Sequence, residues 1–244
     1  MTTSQVPPPL AGTEEVMAVA TSLAHAFAKT AVERDRKGGT PKEERDALRA
    51  SGLLNLIVPP ELGGGGASWH DTMRVVRIIA SADGSLGHVV GFQHLLLATV
   101  RLFGGEAQFS ELARATVQGR WFWGNALNPL DPRAIMAGVG DARVIRGEKS
   151  FCSGALDADY LVVSALDGGK LVIAAIPGDR AGITCRHDWD NMGQRQTDSG
   201  SVFFENVRVH QRELLVTPGP LGTPFASLRP CIAQLSLCNV YLGI

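Results

Sequence analysis

Apolar residues recur at helical spacing in the first half of the chain. From Glu14 to about Lys37 they are three or four positions apart, which predicts an amphipathic helix. The apolar positions are Val16, Val19, Leu23, Phe27 and Val32. This face is expected to pack against a core.

Capping signals divide the next segment into further helices. Thr40, Pro41 and Glu43 form a capping-box pattern that predicts the start of a short helix, and Gly52 marks its end. Ser68 can cap a second helix. The stretches 86–103 and 106–117 are also helical in pattern, so the chain up to about residue 118 is predicted to be all-helical.

The pattern changes after Trp121, where Gly and Asp separate short β-rich runs. These runs are RAIMAGVG, ARVIRGEKSF, DYLVVSAL, GKLVIAAIP and GSVFFENVRV. Their spacing favours an antiparallel sheet or a small barrel. From about Thr223 the periodicity is helical again, and the last residues, LSLCNVYLGI, are mostly apolar. We expect either more protein or a partner to cover this end.

These patterns predict an α+β protein with distinct parts. We expect a disordered tail at 1–12, a helical domain at 13–118, a β-domain at 119–220 and the first helix of a C-terminal helical domain at 221–244. A chain of 244 residues is long enough to bury a sizeable core.

Charge and composition favour a small-molecule partner. The net charge is −1 and basic residues are scattered, so there is no electrostatic footprint for nucleic acid or for an anionic membrane. The N-terminus lacks the pattern of a signal peptide, and we expect a cytoplasmic protein. The four cysteines form no CxxC pair and the six histidines show no i, i+4 ligand spacing, so neither a disulfide scaffold nor a metal site is predicted. Cys231 and Cys238 are seven positions apart and are expected to face a core.

Three features are candidates for chemistry. His88 lies among apolar neighbours, where it is by default a core histidine and alternatively a proton donor or acceptor. Ser153 lies between two predicted strands but outside any GxSxG elbow, so a nucleophilic serine is not favoured. Phe122, Gly124 and Asn125 combine an aromatic ring, a small residue and an amide, which suits a flat ring system.

Several stretches of the chain carry a family resemblance. They include LRASGLLNLIVPPELGG, SADGSLGHVVGF, WGNA, KSFCSGALDADYLVVSA, DWDNMGQRQTDSGSVFFENVRV and IAQLSLCNVYLGI. From about Ala20 onwards the chain resembles the acyl-CoA dehydrogenase fold family. Within it, FCSGA, RQTDSGS and NVYLGI are most similar to two-component flavin-dependent monooxygenases of the dibenzothiophene monooxygenase type.

The resemblance implies a cofactor, partners and an assembly. Reduced FMN, supplied by a separate NADH:flavin reductase, would react with O₂ to give a C4a-hydroperoxide that transfers oxygen to an organosulfur or aromatic molecule. FAD is the alternative cofactor. The family's C-terminal helical domain, of which this chain has only the beginning, mediates tetramerisation, so the resemblance implies a homotetramer.

The resemblance also assigns roles to individual residues. His88, Asn125 and Ser153 match active-site positions, with the Ser153 hydroxyl at the flavin N5 and C4a edge. Phe92 and Trp189 match the substrate pocket, and Phe92 replaces a tyrosine of the relatives. The remaining cofactor positions implied by the resemblance are Phe122, Gly124, Phe151, Arg195, Thr197 and Ser199, and Asn125, Ser153 and Trp189 belong to this cofactor set as well.

Two other functions remain open from the sequence. A true acyl-CoA dehydrogenase would use FAD and a carboxylate base, although GNALNPLDP stands where that group has a Thr-Glu-Pro and Gly-Ser-Asp signature. The other alternative is an inactive fragment, suggested by the apolar end of the chain.

Overall fold

The structure is a computed structural model that describes residues 9–10, 12–222 and 225–244. Most of the tail predicted at 1–12 lies outside the described residues, as does Thr223, where the last helical segment is predicted to begin. The helices are α1 (Thr13–Ala28), α2 (Ala31–Lys37), α3 (Lys42–Ser51), α4 (Trp69–Ala80), α5 (Gly84–Gly104), α6 (Glu106–Gly119) and α7 (Leu228–Gly243).

The first predicted helix is two helices. Lys29 and Thr30 separate α1 from α2, so the single helix expected from Glu14 to Lys37 is wrong in its continuity. The apolar face of α1 packs as expected, since Val16 and Phe27 are buried. Val32 lies on α2 beyond the break and is 65% exposed, so it takes no part in that core.

One of the predicted caps forms and the other does not. Ser68 is the N-cap of α4, and its hydroxyl oxygen accepts a hydrogen bond of 3.1 Å from the Asp71 backbone N–H. Thr40 does not cap α3, whose N-cap is Pro41 and has no side-chain cap. The Thr40 hydroxyl donates instead to Asp198 Oδ2 at 2.5 Å, because the tertiary fold offers it a carboxylate from the β-rich part.

The β-rich part forms one curled seven-stranded sheet. Its strands are β1 (Trp123–Ala126), β2 (Ile135–Ala137), β3 (Arg143–Lys149), β4 (Tyr160–Asp167), β5 (Lys170–Pro177), β6 (Ile183–Cys185) and β7 (Val202–Val209). The α+β class is confirmed, and the sheet is mixed, because β4 pairs in parallel with both β1 and β2. The remaining pairings are antiparallel.

The long helix α5 lies between the two halves. One face packs with α4 and α7 in the cluster that also holds α1 and α3, and the other packs with α6 and the sheet, so its interior residues are almost all buried. By length and composition alone α5 could cross a membrane, but 78% of its most apolar stretch is buried inside the protein, which is the position of a core helix. This packing therefore fixes the positions of the α5 residues that lie beside the sheet.

The cysteines are all free thiols. Cys152 is buried, and burial raises the pKa of its thiol to about 12. Cys231 and Cys238 on α7 are exposed, so the prediction that they face a core is wrong. The helical face of α7 that packs inward carries Ser236 and Val240 instead.

Candidate active site

A cavity of about 310 Å³ opens where α5, the turn after β3, the loop before β7 and α7 meet. Its lining includes His88 and Phe92 from α5, Asn125 from β1, and Phe151 and Ser153 from the turn. Trp189, Thr197 and Ser199 come from the loop. The structure thus brings together eight of the predicted site residues.

The position of α5 relative to β1 is fixed by a buried glutamine. The Gln93 side-chain oxygen accepts from the Trp123 backbone N–H at 2.8 Å, and its amide nitrogen donates to the Trp121 carbonyl at 3.2 Å. Because Gln93 is fully buried, these bonds are shielded from water. They hold His88 and Phe92 at a constant distance from the strand that carries Asn125.

The turn after β3 is held by backbone hydrogen bonds on two sides. The Asn125 N–H donates to the Ser153 carbonyl, and the Gly154 N–H donates to the Thr197 carbonyl, each at 2.9 Å. Phe151 adopts a φ of +58°, a conformation that residues other than glycine disfavour, and the residue is 61% exposed. Backbone strain of this kind clusters at functional sites.

Four side chains form a chain of hydrogen bonds across the site. His88 Nε2 lies 3.1 Å from Ser153 Oγ, which lies 2.8 Å from Ser199 Oγ. Ser199 Oγ is 2.7 Å from Thr197 Oγ1, and the Thr197 hydroxyl donates to the Gln194 carbonyl at 2.9 Å. These bonds connect α5, the turn and the loop.

The terminal carbonyl assigns the direction of every bond. The single Thr197 hydroxyl proton goes to the Gln194 carbonyl, so Thr197 accepts from Ser199, and Ser199 accepts from Ser153. Ser153 therefore accepts from His88 Nε2–H. In this arrangement Ser153 keeps one lone pair for another donor.

His88 is a half-buried residue with a neutral imidazole. Burial lowers its pKa to about 4, and the nearby Gln194 side chain opposes that shift in part. The ring stacks on Phe92 with centroids 4.1 Å apart and an interplanar angle of 18°. With Nε2 protonated, Nδ1 is the basic nitrogen, and it is buried without a hydrogen-bond partner in the described part of the chain.

Two aromatic rings stand at the open side of the cavity. Phe151 and Trp189 meet edge to face, with centroids 5.7 Å apart and an interplanar angle of 75°. The Trp189 indole N–H donates to the Gln194 carbonyl at 2.9 Å, which fixes the ring to the loop. These rings provide flat apolar surface next to the Ser153 hydroxyl.

Three predicted site residues lie elsewhere. The Phe122 ring is buried in the helical core, with the Arg45 guanidinium 5.1 Å from its centroid. Gly124 packs against Ala158, and neither Phe122 nor Gly124 lines the cavity. The Arg195 side chain is directed to α2, donating to the Asp35 carbonyl at 2.8 Å and pairing with Asp190.

Seven described residues line the cavity beyond the eight predicted ones, and two of them, Gln194 and Arg229, bear on its chemistry. Gln194, with a φ of +51°, supplies the carbonyl that receives the hydrogen-bond chain. Arg229, near the start of α7, is a mostly buried guanidinium. A lone arginine in a mostly apolar helical segment was the only available signal for the latter.

A larger, more open cavity of about 870 Å³ adjoins the first at the N-terminus of α5. His88, Trp189 and Gln194 line both cavities. These residues therefore separate a small inner space from a wider outer one.

Comparison with known proteins places the chain in a family. Residues 13–120 match the acyl-CoA dehydrogenase N-terminal domain and residues 124–207 match its middle domain. The chain is 58% identical, over 231 residues, to a probable FMNH2-dependent monooxygenase, SfnC, of Pseudomonas putida. That alignment covers 93% of this chain and 58% of the relative.

Solved structures of similar proteins support the same family membership. Methanesulfinate monooxygenase MsuC of Pseudomonas fluorescens superposes with a TM-score of 0.91 at 57% identity, covering 93% of this chain and 59% of that one. Dibenzothiophene monooxygenase TdsC of Paenibacillus sp. A11-2, in complex with FMN and indole, gives a TM-score of 0.86 at 43% identity, covering 93% and 61%. The chain thus spans about three fifths of the length of these relatives. It belongs to the acyl-CoA dehydrogenase family, and its relatives there include FMNH2-dependent monooxygenases.

Proposed function

We propose that this chain carries the substrate side and one flavin edge of an FMNH2-dependent monooxygenase that oxidises a small organosulfur molecule. The observation that carries the proposal is the His88–Ser153 pair, 3.1 Å apart, beside a cavity walled by Phe92 and Trp189. An apolar wall with a few oriented polar groups is the usual composition of a small-molecule site. The relatives named for FMNH2 or FMN support the choice of cofactor.

The residues present fit one edge of a reduced flavin. A flat ring requires apolar surface at its faces, which the exposed ring of Phe151 and the Trp189 indole offer. Its N–H requires an acceptor, and the hydrogen-bond chain leaves a Ser153 lone pair free for one. When bound, FMNH2 supplies two electrons and two protons, so that one atom of O₂ enters the substrate and the other leaves as water.

The protein groups then have separate tasks. Ser153 orients the ring edge, and Ser199 and Thr197 fix the direction of its hydroxyl. His88 is uncharged at neutral pH, because burial lowers its pKa to about 4, and Nδ1 can accept a proton or a hydrogen bond from the reacting molecules. Phe92 and Trp189 exclude water from the place where oxygen is transferred.

The proposal implies partners beyond the chain. Free FMNH2 must come from a separate flavin reductase. The proposed site uses flavin that is already reduced, and none of the described residues is assigned to the reduction of FMN. FMN is favoured over FAD by the relatives' names. A tetrameric assembly, a cytoplasmic location and the domain limits stay predictions.

Stopped-flow mixing tests the proposal. Anaerobically reduced FMN is mixed, with and without the protein, with oxygenated buffer, and the flavin spectrum is followed. We expect a transient species, distinct from reduced and oxidised FMN, that only the protein stabilises. The His88→Gln variant should shorten its lifetime, and His25→Gln, exposed on α1, should not. Oxidation at the rate of free FMNH2 would contradict the proposal.

A further inference from the structure

Arg229 is the cationic group of the inner cavity. Its Nε donates to Thr99 Oγ1 at 3.2 Å, and Thr99 is fully buried on α5, where its own hydroxyl donates to the Leu95 carbonyl at 2.7 Å. The guanidinium is therefore anchored through one N–H by a neutral partner. Its two terminal nitrogens, which carry the other N–H groups, have no hydrogen-bond partner in the described part of the chain.

No carboxylate from the described residues of the cavity lining balances this charge. Among the described residues that line the cavity there is neither Asp nor Glu, and Arg229 forms no ion pair there. Burial alone lowers its pKa, to about 10, so the group stays protonated at neutral pH. His88 is neutral, because burial lowers its pKa to about 4. The lining thus carries one formal positive charge.

A mostly buried, unpaired cation such as Arg229 is costly unless a ligand supplies the counter-charge. Guanidinium groups suit planar or forked oxyanions, because they donate two parallel hydrogen bonds. The cavity of about 310 Å³ also holds apolar surface from Phe92, Leu95 and Ala233. Its shape and charge fit a small molecule with one anionic head and a short apolar part.

We propose that Arg229 binds the anionic headgroup of the substrate and makes this site selective for small organosulfinates over neutral sulfur compounds. The inference rests on the proposed function and deepens it by naming the substrate class. Arg229 is in this sense a specificity-determining residue, and His88 and Ser153 keep the roles given above.

The chemistry of a sulfinate agrees with oxygen transfer. Its sulfur retains a lone pair, which forms the new S–O bond, whereas the sulfur of a sulfonate has none to offer. The balanced reaction is R–SO₂⁻ + O₂ + FMNH2 → R–SO₃⁻ + FMN + H₂O. The sulfur and the flavin each lose two electrons, O₂ gains four, and the O–O bond breaks with one oxygen leaving as water.

The phosphate of FMN is the other oxyanion that Arg229 could pair with. Two titrations distinguish the sulfinate from the FMN phosphate as the oxyanion that pairs with Arg229. The first compares methanesulfinate with dimethyl sulfone, a neutral molecule of similar shape, by calorimetry with the ligand-free protein. The second compares FMN with riboflavin, which lacks the phosphate.

The variants are Arg229→Gln, Arg229→Lys and, as a matched control, Arg114→Gln, whose arginine is exposed on α6. We expect methanesulfinate to bind at least about tenfold more tightly than dimethyl sulfone, as a charge-assisted pair would give. Arg229→Gln should remove that preference, Arg229→Lys should recover part of it, and Arg114→Gln should keep it in full. FMN and riboflavin should respond equally to Arg229→Gln.

Two outcomes would overturn the inference. In the first, the unmutated protein binds both sulfur ligands equally. In the second, Arg229→Gln weakens the binding of FMN but not of riboflavin and leaves methanesulfinate binding unchanged. Because the first comparison uses the unmutated chain, its result does not depend on whether a variant folds. Failure of the proposed function would be seen separately, as an unchanged reaction of FMNH2 with O₂, while the calorimetry still tests the anion site.

Discussion

His88 Nε2 on α5 lies 3.1 Å from the hydroxyl oxygen of Ser153, in the turn after β3. The contact joins the helical part of the protein to its sheet. Through Ser199 and Thr197 the same hydrogen-bond chain reaches the Gln194 carbonyl. The Gln194 carbonyl thus determines that the Ser153 hydroxyl has an acceptor lone pair available in the cavity. This property depends on the tertiary fold and not on the serine alone.

Ser153→Ala removes the acceptor from the proposed flavin edge. We expect the fraction of FMNH2 that yields product to fall by about tenfold, with hydrogen peroxide released instead, because one hydrogen bond of about 1.4 kcal/mol is lost. The measurement is the ratio of oxidised substrate to peroxide. Ser81→Ala, at the exposed C-terminal end of α4, is the control. Unchanged coupling in Ser153→Ala would remove Ser153 from the mechanism.

Phe151→Gly separates backbone strain from the function of the ring. Its φ of +58° costs a phenylalanine more than a glycine, and the residue is 61% exposed, so its replacement loses little buried surface. We expect the free energy of unfolding to rise by about 0.5–1 kcal/mol while FMN binding weakens. Urea denaturation and flavin titration measure the two effects.

Phe151→Ala is the matched control, because it removes the ring and keeps the strained Cβ. It should weaken FMN binding as Phe151→Gly does without the gain in stability. Equal stability of the two variants would mean that the conformation stores no strain.

The sequence was sufficient where the signal is local. The Ser68 cap and the strand-like runs after Trp121 depend on neighbours a few residues away, and the structure contains them. Thr40 has the same local signature as Ser68, yet its hydroxyl bonds to Asp198, 158 positions along the chain. A local pattern does not reveal such a competitor.

The candidate site likewise contains residues that the sequence could place and residues that required the tertiary structure. The resemblance grouped Gly124 with Asn125, but the side chains of successive strand residues point to opposite faces, so a Cβ at Gly124 and the Asn125 amide lie on different sides of β1. Asn125 lines the cavity, and Gly124 packs against Ala158. Arg229 required the tertiary structure, since only the packing of α7 beside α5 places it with His88.

Acid should destabilise the fold through two histidines of α5, the half-buried His88 and the buried His94. Burial lowers the pKa of His88 and of His94 to about 4, whereas an unfolded histidine titrates near 6.5. The unfolded chain therefore binds the extra protons, so this contribution to stability is complete above about pH 6.5 and is lost as the pH falls towards 4. We expect a loss of about 1 kcal/mol for each histidine between pH 7 and 5.5.

Urea denaturation at the two pH values measures this loss. His94→Leu should remove about half of the pH dependence, and His25→Leu, exposed on α1, should leave it unchanged. If His94→Leu kept the full dependence, the folded-state pKa of His94 would have to be close to its ordinary value.

Gly124→Ala tests whether the glycine of β1 serves packing or flavin binding. A Cβ at this position would lie 2.7 Å from Ala158 Cβ and 2.9 Å from Ala155 Cα, and both neighbours are held by the fold. We expect the free energy of unfolding to fall by about 1–3 kcal/mol, the usual cost of overpacking. Gly193→Ala is the control, because its Cβ would meet no atom within 4 Å. If Gly124→Ala were as stable as Gly193→Ala but bound FMN less tightly, the strand would approach the flavin directly, and Gly124 would return to the cofactor site that the sequence predicted.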